Sequence, residues 1–190
     1  MTLHVGTDNI VDIRKNGKIS KVYKGSDLVW GYPSGKVLFE NSTGGTYTLT
    51  VKYRCKLYIQ AVGGGGGGHT DGAGYHPYNY GGGSGAYIYG TKEVAAGTYT
   101  IVVGKVATGN TNGGDSSVFG EIAGGGKAST GGGGVAVTTL SYINGNNGGF
   151  GNVWEGPGGA SVYGGYGTGM TANNGGLSGG TNGYVKITAI

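Results

Sequence analysis

The chain has 190 residues, of which 49 are glycine, and its net charge is +4. Leu, Ile, Val and Phe together number only 37, fewer than an ordinary core needs, yet the low net charge argues against a solvated disordered chain. Three prolines without a strict third-residue glycine exclude collagen, and the apolar runs are too short for a transmembrane helix. The single Cys55 allows neither an intrachain disulfide nor a multi-cysteine zinc site.

Glycine and charge divide the chain into two regions. Residues 1–62 contain 7 glycines and residues 63–190 contain 42. Residues 1–56 carry a balance of +5, and the remainder carries a balance of −1. We therefore predict a small N-terminal β unit, residues 1–35, joined through Tyr32-Pro33-Ser34-Gly35 to a larger glycine-rich body, residues 36–190.

The N-terminal unit is predicted to contain about three strands. Asn9–Arg14 and Lys18–Tyr23 are strand-like and flank Asn16-Gly17, a strong signal for a tight hairpin, and Leu28–Trp30 follows a second turn. Its basic side chains are too few for phosphate neutralisation and form no Arg-Gly-Gly pattern, so nucleic acid is not the predicted partner. A solvated hairpin, or a face that docks on an acidic protein, fits better. The candidate attachment residues are Arg14, Lys18, Lys21, Tyr23 and Trp30.

Strict alternation of apolar and polar residues over Thr46–Val62 is the clearest periodicity in the chain. Seventeen residues exceed the length of one strand, so we expect a break at residues 52–54, with Cys55 on the apolar face as a small hydrophobe. Further strands are predicted at Ala86–Val94, at Thr98–Val103 after a hairpin turn at residues 95–97, and at Ser117–Ile122, Val135–Ile143 and Tyr184–Ile190. No window shows a helical stripe. The sequence therefore predicts an all-β protein.

The connections between these strands are long and rich in glycine, above all residues 63–85 and 144–183. Ordering glycine carries a large loss of backbone entropy, so these segments are either flexible linkers or extended threefold helices that bond backbone to backbone. Apolar residues such as Phe150, Trp154 and Val162 lie among the glycines. Because they suit a packed edge better than a solvated tether, we predict packed glycine helices.

A resemblance follows from the order of these blocks. The chain from about residue 37 to residue 190 resembles the glycine-rich domain of bacteriophage tail fibres and tail-tip adhesins. The blocks that carry the resemblance are Thr46–Val51, Leu57–Gly65, Gly81–Tyr87, Ala96–Gly104, Gly113–Gly120 and Asn182–Ile187. The segment around Lys21–Trp30 also resembles short attachment segments of phage structural proteins. The extracellular glycine-rich region of some animal receptor kinases is similar in layout.

The resemblance implies an antiparallel, jelly-roll-like β-sandwich whose glycine-rich inserts pack as polyglycine II helices. It also implies a virion surface protein that binds a host cell-surface glycan or protein and attaches through its N-terminal unit to another virion protein. The thin hydrophobic core separately favours a homotrimer or a subunit of a larger assembly. Met1–His4 lack the features of a signal peptide, which fits synthesis in the host cytoplasm. The alternatives are a capsid-decorating or head-fibre protein and an ice-binding or matrix protein.

Motifs for chemistry are weak. Gly63–Gly68 matches a dinucleotide fingerprint without the helix that it requires, and Gly124–Lys127 lacks the first glycine and the final Ser or Thr of a phosphate loop. His69, Asp71 and His76 are close in sequence but form no metal-ligand pattern. We therefore predict no enzyme, no cofactor and no bound metal.

Aromatic residues in two glycine-rich loops are the candidate receptor contacts. They either pack against the glycine helices or present their faces to a sugar or a protein loop. The first loop holds Tyr75, His76, Tyr78 and Tyr80, and the second holds Trp154, Tyr163 and Tyr166.

Overall fold

A computed structural model describes residues 2–5, 8–15, 18–24, 27–71, 78–128, 132–152, 155–173 and 176–190. Within them every regular element is a β-strand, and every strand pairs antiparallel with its neighbour. The predicted all-β class is confirmed. In this described part of the chain, no helix is long and apolar enough to span a membrane.

The N-terminal strands form one four-stranded sheet in chain order: β1 (Thr2–Val5), β2 (Asp8–Lys15), β3 (Lys18–Lys24) and β4 (Asp27–Trp30). The three predicted strands correspond to β2, β3 and β4. Lys15 pairs with Lys18, as a tight hairpin requires, while Asn16 and Gly17 lie outside the described residues. β1 is not evident from sequence because four residues are too few to establish alternation.

Sixteen further strands follow from residue 37 onward. They are β5 (Val37–Asn41), β6 (Gly45–Val51), β7 (Cys55–Val62), β8 (His69–Asp71), β9 (Tyr78–Tyr80), β10 (Tyr87–Val94), β11 (Gly97–Val103), β12 (Ser116–Val118), β13 (Glu121–Ala123), β14 (Ala136–Val137), β15 (Ser141–Ile143), β16 (Phe150–Asn152), β17 (Glu155–Gly156), β18 (Thr171–Asn173), β19 (Gly176–Ser178) and β20 (Tyr184–Ala189).

Two five-stranded sheets share one core. The β7 sheet has the order β15-β10-β7-β20-β5, and the β11 sheet has the order β14-β13-β12-β11-β6. A single cluster of buried side chains draws on both sheets; it includes Leu57, Ile59, Ile88 and Ile187 from the first and Val51, Ile101, Val103 and Val118 from the second. Two three-stranded sheets, the β9 sheet (β16-β9-β8) and the β18 sheet (β17-β18-β19), complete the body.

The break predicted at residues 52–54 is confirmed, because β6 ends at Val51 and β7 begins at Cys55. The two strands enter different sheets. Cys55 is half-buried beside the core, and burial raises the pKa of its thiol. Tyr32, on the N-terminal side of the predicted domain boundary, also packs in this core, and its hydroxyl accepts a hydrogen bond from the backbone of Lys52. The boundary itself stays a prediction.

One predicted hairpin turn and two predicted strands are wrong. Residues 95–97 do not close a hairpin, because β10 and β11 bury their apolar sides on the same core from opposite sheets. Ser117–Ile122 is two strands, since Phe119 and Gly120 turn the chain with φ of 50° and 82°. Val135–Ile143 is also two strands, β14 and β15, at the edges of different sheets. The first and third errors arise because alternation reveals which side a residue faces but not which strand lies beside it, and the second arises because the Phe119-Gly120 turn interrupts a run of strand-forming residues.

The glycine segments pair through their backbones with a period of three. In the run Gly63–Gly67 every third N–H group bonds to the same neighbouring segment. The acceptors, in order, are the carbonyls of Ala86, Gly114, Thr181, Gly83 and Thr111. The run Gly81–Ala86 repeats the pattern, with the acceptors Gly149, Met170, Lys127, Asn146, Gly167 and Gly124.

Six segments surround the run Gly63–Gly68. Three of them accept its N–H groups, and three others donate to its carbonyls, through the N–H groups of Ala107, Gly126 and Met170. All six glycines of the run are buried. A methyl group added at Gly65 would overlap the carbonyl of Thr168, and one added at Gly66 would overlap that of Lys127. Only glycine therefore permits backbones to approach this closely here.

The two sheets join the glycine segments at one end. β7, β11 and β13 run into these segments, and β10, β12 and β20, which pair antiparallel with them, emerge from the same end. We call this the glycine end. The opposite end carries the link at residues 52–54, the connection between β10 and β11, the Phe119-Gly120 turn and Tyr32.

Candidate functional site

Four aromatic side chains lie together on the β9 sheet. Tyr80 of β9 pairs with His69 of β8 on one side and with Phe150 of β16 on the other. Tyr78 lies two residues before Tyr80, so alternation along the strand brings both rings to one face. We call His69, Tyr78, Tyr80 and Phe150 the aromatic patch.

The rings of the aromatic patch contact each other in a continuous array. The Phe150 ring centroid is 5.7 Å from that of Tyr78 and 5.1 Å from that of Tyr80. His69 stacks on Tyr80 with a centroid distance of 6.4 Å. Tyr78 and Phe150 are nevertheless 50% and 56% exposed. The patch is therefore preorganised by ring contacts while two of its members face solvent.

The opposite face of β9 anchors the patch. Asn79 points away from the two tyrosines and is fully buried, and Thr70 donates a hydrogen bond of 2.9 Å to its side-chain carbonyl. The β9 sheet also contacts the β18 sheet. Because Asn79 is fixed in this way, the alternating Tyr78 and Tyr80 have little freedom to turn inward.

The aromatic patch lies beyond the glycine end. The chain reaches β8 only after Gly63–Gly68 has left β7, and it returns from β9 to β10 through Gly81–Ala86. β16 likewise follows residues 144–149. The patch is thus separated from both five-stranded sheets by the length of the buried glycine runs.

Tyr163 and Tyr166 occupy a different site. A tight turn, closed by a bridge between them, lays both rings on the outer face of the β7 sheet. Tyr163 stacks on Tyr87 at 4.3 Å and Tyr166 stacks on Tyr184 at 4.5 Å. With Tyr89 these residues form a tyrosine cluster. One ring face of Tyr163 and one of Tyr166 are therefore covered by the protein itself.

Hydrogen bonds fix the polar atoms of the tyrosine cluster. Gln60 Nε2 donates to the hydroxyls of Tyr87 and Tyr163, at 2.9 and 2.8 Å. Burial raises the pKa of Tyr87 and outweighs the bond from Gln60, which lowers it. Burial also raises the pKa of Tyr184, which donates to Glu40 at 2.6 Å. With raised pKa values, the hydroxyls of Tyr87 and Tyr184 remain protonated at neutral pH and act as a structural acceptor and a structural donor, which suits packing rather than chemistry.

The other predicted site residues fall into two groups, those outside the described residues and those described by their backbones alone. Tyr75, His76 and Trp154 lie outside the described residues. The structure places Arg14 on β2, Lys18, Lys21 and Tyr23 on β3, and Trp30 on β4, with only their backbones described. His69 and Phe150 were missed as partners of Tyr78 and Tyr80, because three-residue strands show no periodicity. The sequence signal for this site was the pair Tyr78 and Tyr80, two aromatic residues at alternate positions in a glycine-rich loop.

A cavity of about 410 Å³ opens at the opposite end of the sheets, lined by Lys92, Tyr99 and Phe119 among others. Beside it Lys92 pairs with the buried Glu121, which also accepts hydrogen bonds from Thr138 and Thr139. Burial alone would raise the pKa of Glu121, but these hydrogen bonds lower it to about 2. A carboxylate so fully bonded is a clamp between the sheets and not a proton-transfer group.

The side chains that the structure describes include no group of three or more His, Cys, Asp or Glu placed to hold a metal ion. Of the three residues His69, Asp71 and His76, only His69 has a described side chain. Comparisons with protein-family models and with curated proteins give no match to the chain.

Proposed function

We propose that this chain is a non-enzymatic bacteriophage surface protein, a tail-fibre or tail-tip adhesin that binds a host cell-surface glycan or protein through the aromatic patch. The observation that carries the proposal is an ordered array of four aromatic rings beyond the glycine end, two of which, Tyr78 and Phe150, are exposed. Exposed aromatic faces stack on sugar rings and on protein loops and lose little rotamer freedom when they bind.

Rigid presentation supports the same proposal. We infer that the two five-stranded sheets form a jelly-roll-like β-sandwich and that the glycine segments are polyglycine II helices. The period of three in the hydrogen-bond partners of Gly63–Gly67 matches the three residues per turn of such a helix. Six surrounding segments would make the helix bundle stiff, so the patch would meet a cell surface without first losing loop entropy.

Attachment to the particle is assigned to the opposite end. Tyr32 enters the core beside the link at residues 52–54, where its ring also packs against Tyr53. The chain therefore passes from the N-terminal sheet to the body at the end remote from the aromatic patch. We propose that the N-terminal sheet docks on another virion protein, with Arg14, Lys18, Lys21, Tyr23 and Trp30 as candidate contacts.

The first test is cell labelling by the fluorescent full chain across a panel of bacterial strains, together with protection of a labelled strain from infection. Tyr78→Ala and Phe150→Ala are expected to abolish labelling, because each removes an exposed ring of the array. Tyr58→Ala is the matched control, since Tyr58 lies on the outer face of the β7 sheet. Thermal unfolding verifies that each variant is folded. Labelling that survives both patch substitutions would refute this site.

A further inference from the structure

The outer face of the β11 sheet has an unusual composition. Alternate residues of its five strands point away from the core, and the cross-strand register brings Thr46, Val102, Ser117, Ile122 and Val137 into one row across the whole sheet. We call the outward residues the threonine face; they are Thr46, Thr48, Thr50, Thr98, Thr100, Val102, Ser117, Ile122 and Val137. None is charged and none is aromatic.

The other five-stranded sheet provides the comparison. Its outer face carries Lys56 on β7, Glu93 on β10 and Lys186 on β20, and Lys186 pairs with Glu40 at 3.1 Å. The outer face of the β7 sheet therefore does carry charged side chains. The five threonines of the threonine face are all exposed. Unlike the β7 sheet, the β11 sheet thus has an outer face without charge.

An exposed apolar edge continues the threonine face. It consists of Val135, Val137 and Tyr142, which are 59%, 65% and 55% exposed, whereas Ile143 pairs with Tyr87 and faces the outer side of the β7 sheet. Residues 128–154 contain no charged side chain. Natural edge strands are usually protected by charge, proline or a covering element. This edge has neither charge nor proline, which indicates that another protein surface covers it in the assembled state.

The chemistry of this surface favours a second copy of the same chain. The molecule has a net charge of +4, so symmetric contacts through its charged surfaces would oppose like charges. The threonine face avoids that repulsion. A Thr or Ser hydroxyl is both donor and acceptor, so two identical faces can satisfy each other while Val and Ile pack between them. A charged partner would find no complementary group here.

We propose that the threonine face and the apolar edge together form the interface between copies of this chain. Five strands spaced about 4.8 Å apart, the longest about 23 Å, give the face a projected area of roughly 400 Å². A standard interface buries about 800 Å² on each partner. The face alone is therefore too small for a stable contact, so the apolar edge must contribute to the interface as well.

The experiment measures the mass of the full chain by sedimentation equilibrium over a wide concentration range. Wild type is expected to associate, and Thr100→Lys is expected to weaken association roughly tenfold or more, because each contact would then bury an unpaired ammonium group. Thr100 is exposed, so the substitution leaves the core intact. Val137→Lys, at the junction of face and edge, is the second variant and should act in the same direction.

Thr91→Lys is the matched control, an exposed strand residue on the outer face of the β7 sheet that should leave association unchanged. A wild-type chain that stays monomeric at every concentration would overturn the proposal. So would association that persists in both face variants, or that weakens equally in Thr91→Lys. Tyr78→Ala is expected to associate like wild type, so this test fails or succeeds independently of the cell-binding site.

Discussion

At the scale of single residues, Glu121 joins three parts of the body. It faces inward from β13, pairs with Lys92 of β10 across the core, and accepts hydrogen bonds from Thr138 and Thr139 in the link between β14 and β15. It is only 2% exposed. A buried carboxylate is tolerated when it is paired and its remaining oxygen lone pairs are satisfied, and both conditions hold here.

The pH dependence of stability follows from this environment. The folded-state pKa of about 2 lies below the unfolded value, so ionised Glu121 stabilises the fold above about pH 4.3 and this contribution disappears as the pH falls toward 2. The difference between the unfolded and folded pKa values of Glu121 corresponds to about 3 kcal/mol in the free energy of unfolding. In urea unfolding between pH 7 and pH 2, Glu121→Gln is expected to be less stable than wild type at pH 7 and to lose less stability as the pH falls.

Glu93→Gln is the control for that series. Glu93 pairs with Arg54 at 3.1 Å, but its side chain is 62% exposed, and exposed pairs contribute little to stability. Its pH profile should follow that of wild type. If Glu121→Gln and wild type lose stability in parallel down to pH 2, the clamp assigned to Glu121 is wrong.

At the scale of elements, the turn that carries Tyr163 and Tyr166 behaves as a strap across the β7 sheet. Ser161 donates to the carbonyl of Tyr166 at 2.6 Å, and the two tyrosine rings stack on Tyr87 and Tyr184. Tyr163→Ala removes one stack and the bond from Gln60, so we expect a loss of about 2 kcal/mol in the free energy of unfolding. Cell labelling by the folded fraction should remain.

Tyr163→Phe separates the two contributions, because it keeps the stacked ring and loses only the hydroxyl. It should destabilise the fold less than Tyr163→Ala. Abolished labelling with unchanged stability in Tyr163→Ala would instead return Tyr163 to the role of a receptor contact that the sequence suggested.

Sequence alone predicted the elements that have their own periodicity. Apolar and polar residues alternate over Thr46–Val62, and this pattern with its length predicts two strands and the break between them. The strand predicted at Tyr184–Ile190 is also present. The partners of these strands could not be predicted, because β10 and β11 look like a hairpin whether they pair or cross between sheets. The aromatic patch was visible only in part, since Tyr78 and Tyr80 meet His69 and Phe150 through contacts distant in sequence.

At the scale of the whole molecule, three surfaces are separated by the topology. The chain enters at the end that carries Tyr32, the aromatic patch lies beyond the other end, and the threonine face lies along one side. At a rise of about 3.1 Å per residue, six residues of a polyglycine II helix would hold the patch about 19 Å from the sheets. Copies that associate through the threonine face could therefore present several patches to one cell, which raises avidity without any new receptor contact.

Such presentation requires that the glycine runs stay folded in solution, and hydrogen exchange measures this directly. The amides of residues 63–67 and 81–86 are buried and bonded to surrounding segments, so they are expected to exchange only when the body unfolds, like those of β7. Thr108 and Gly109, which are exposed, should exchange rapidly and serve as the internal reference. Rapid exchange throughout both glycine runs, with β7 still protected, would mean that the segments are solvated linkers and that the patch is not held at a fixed distance.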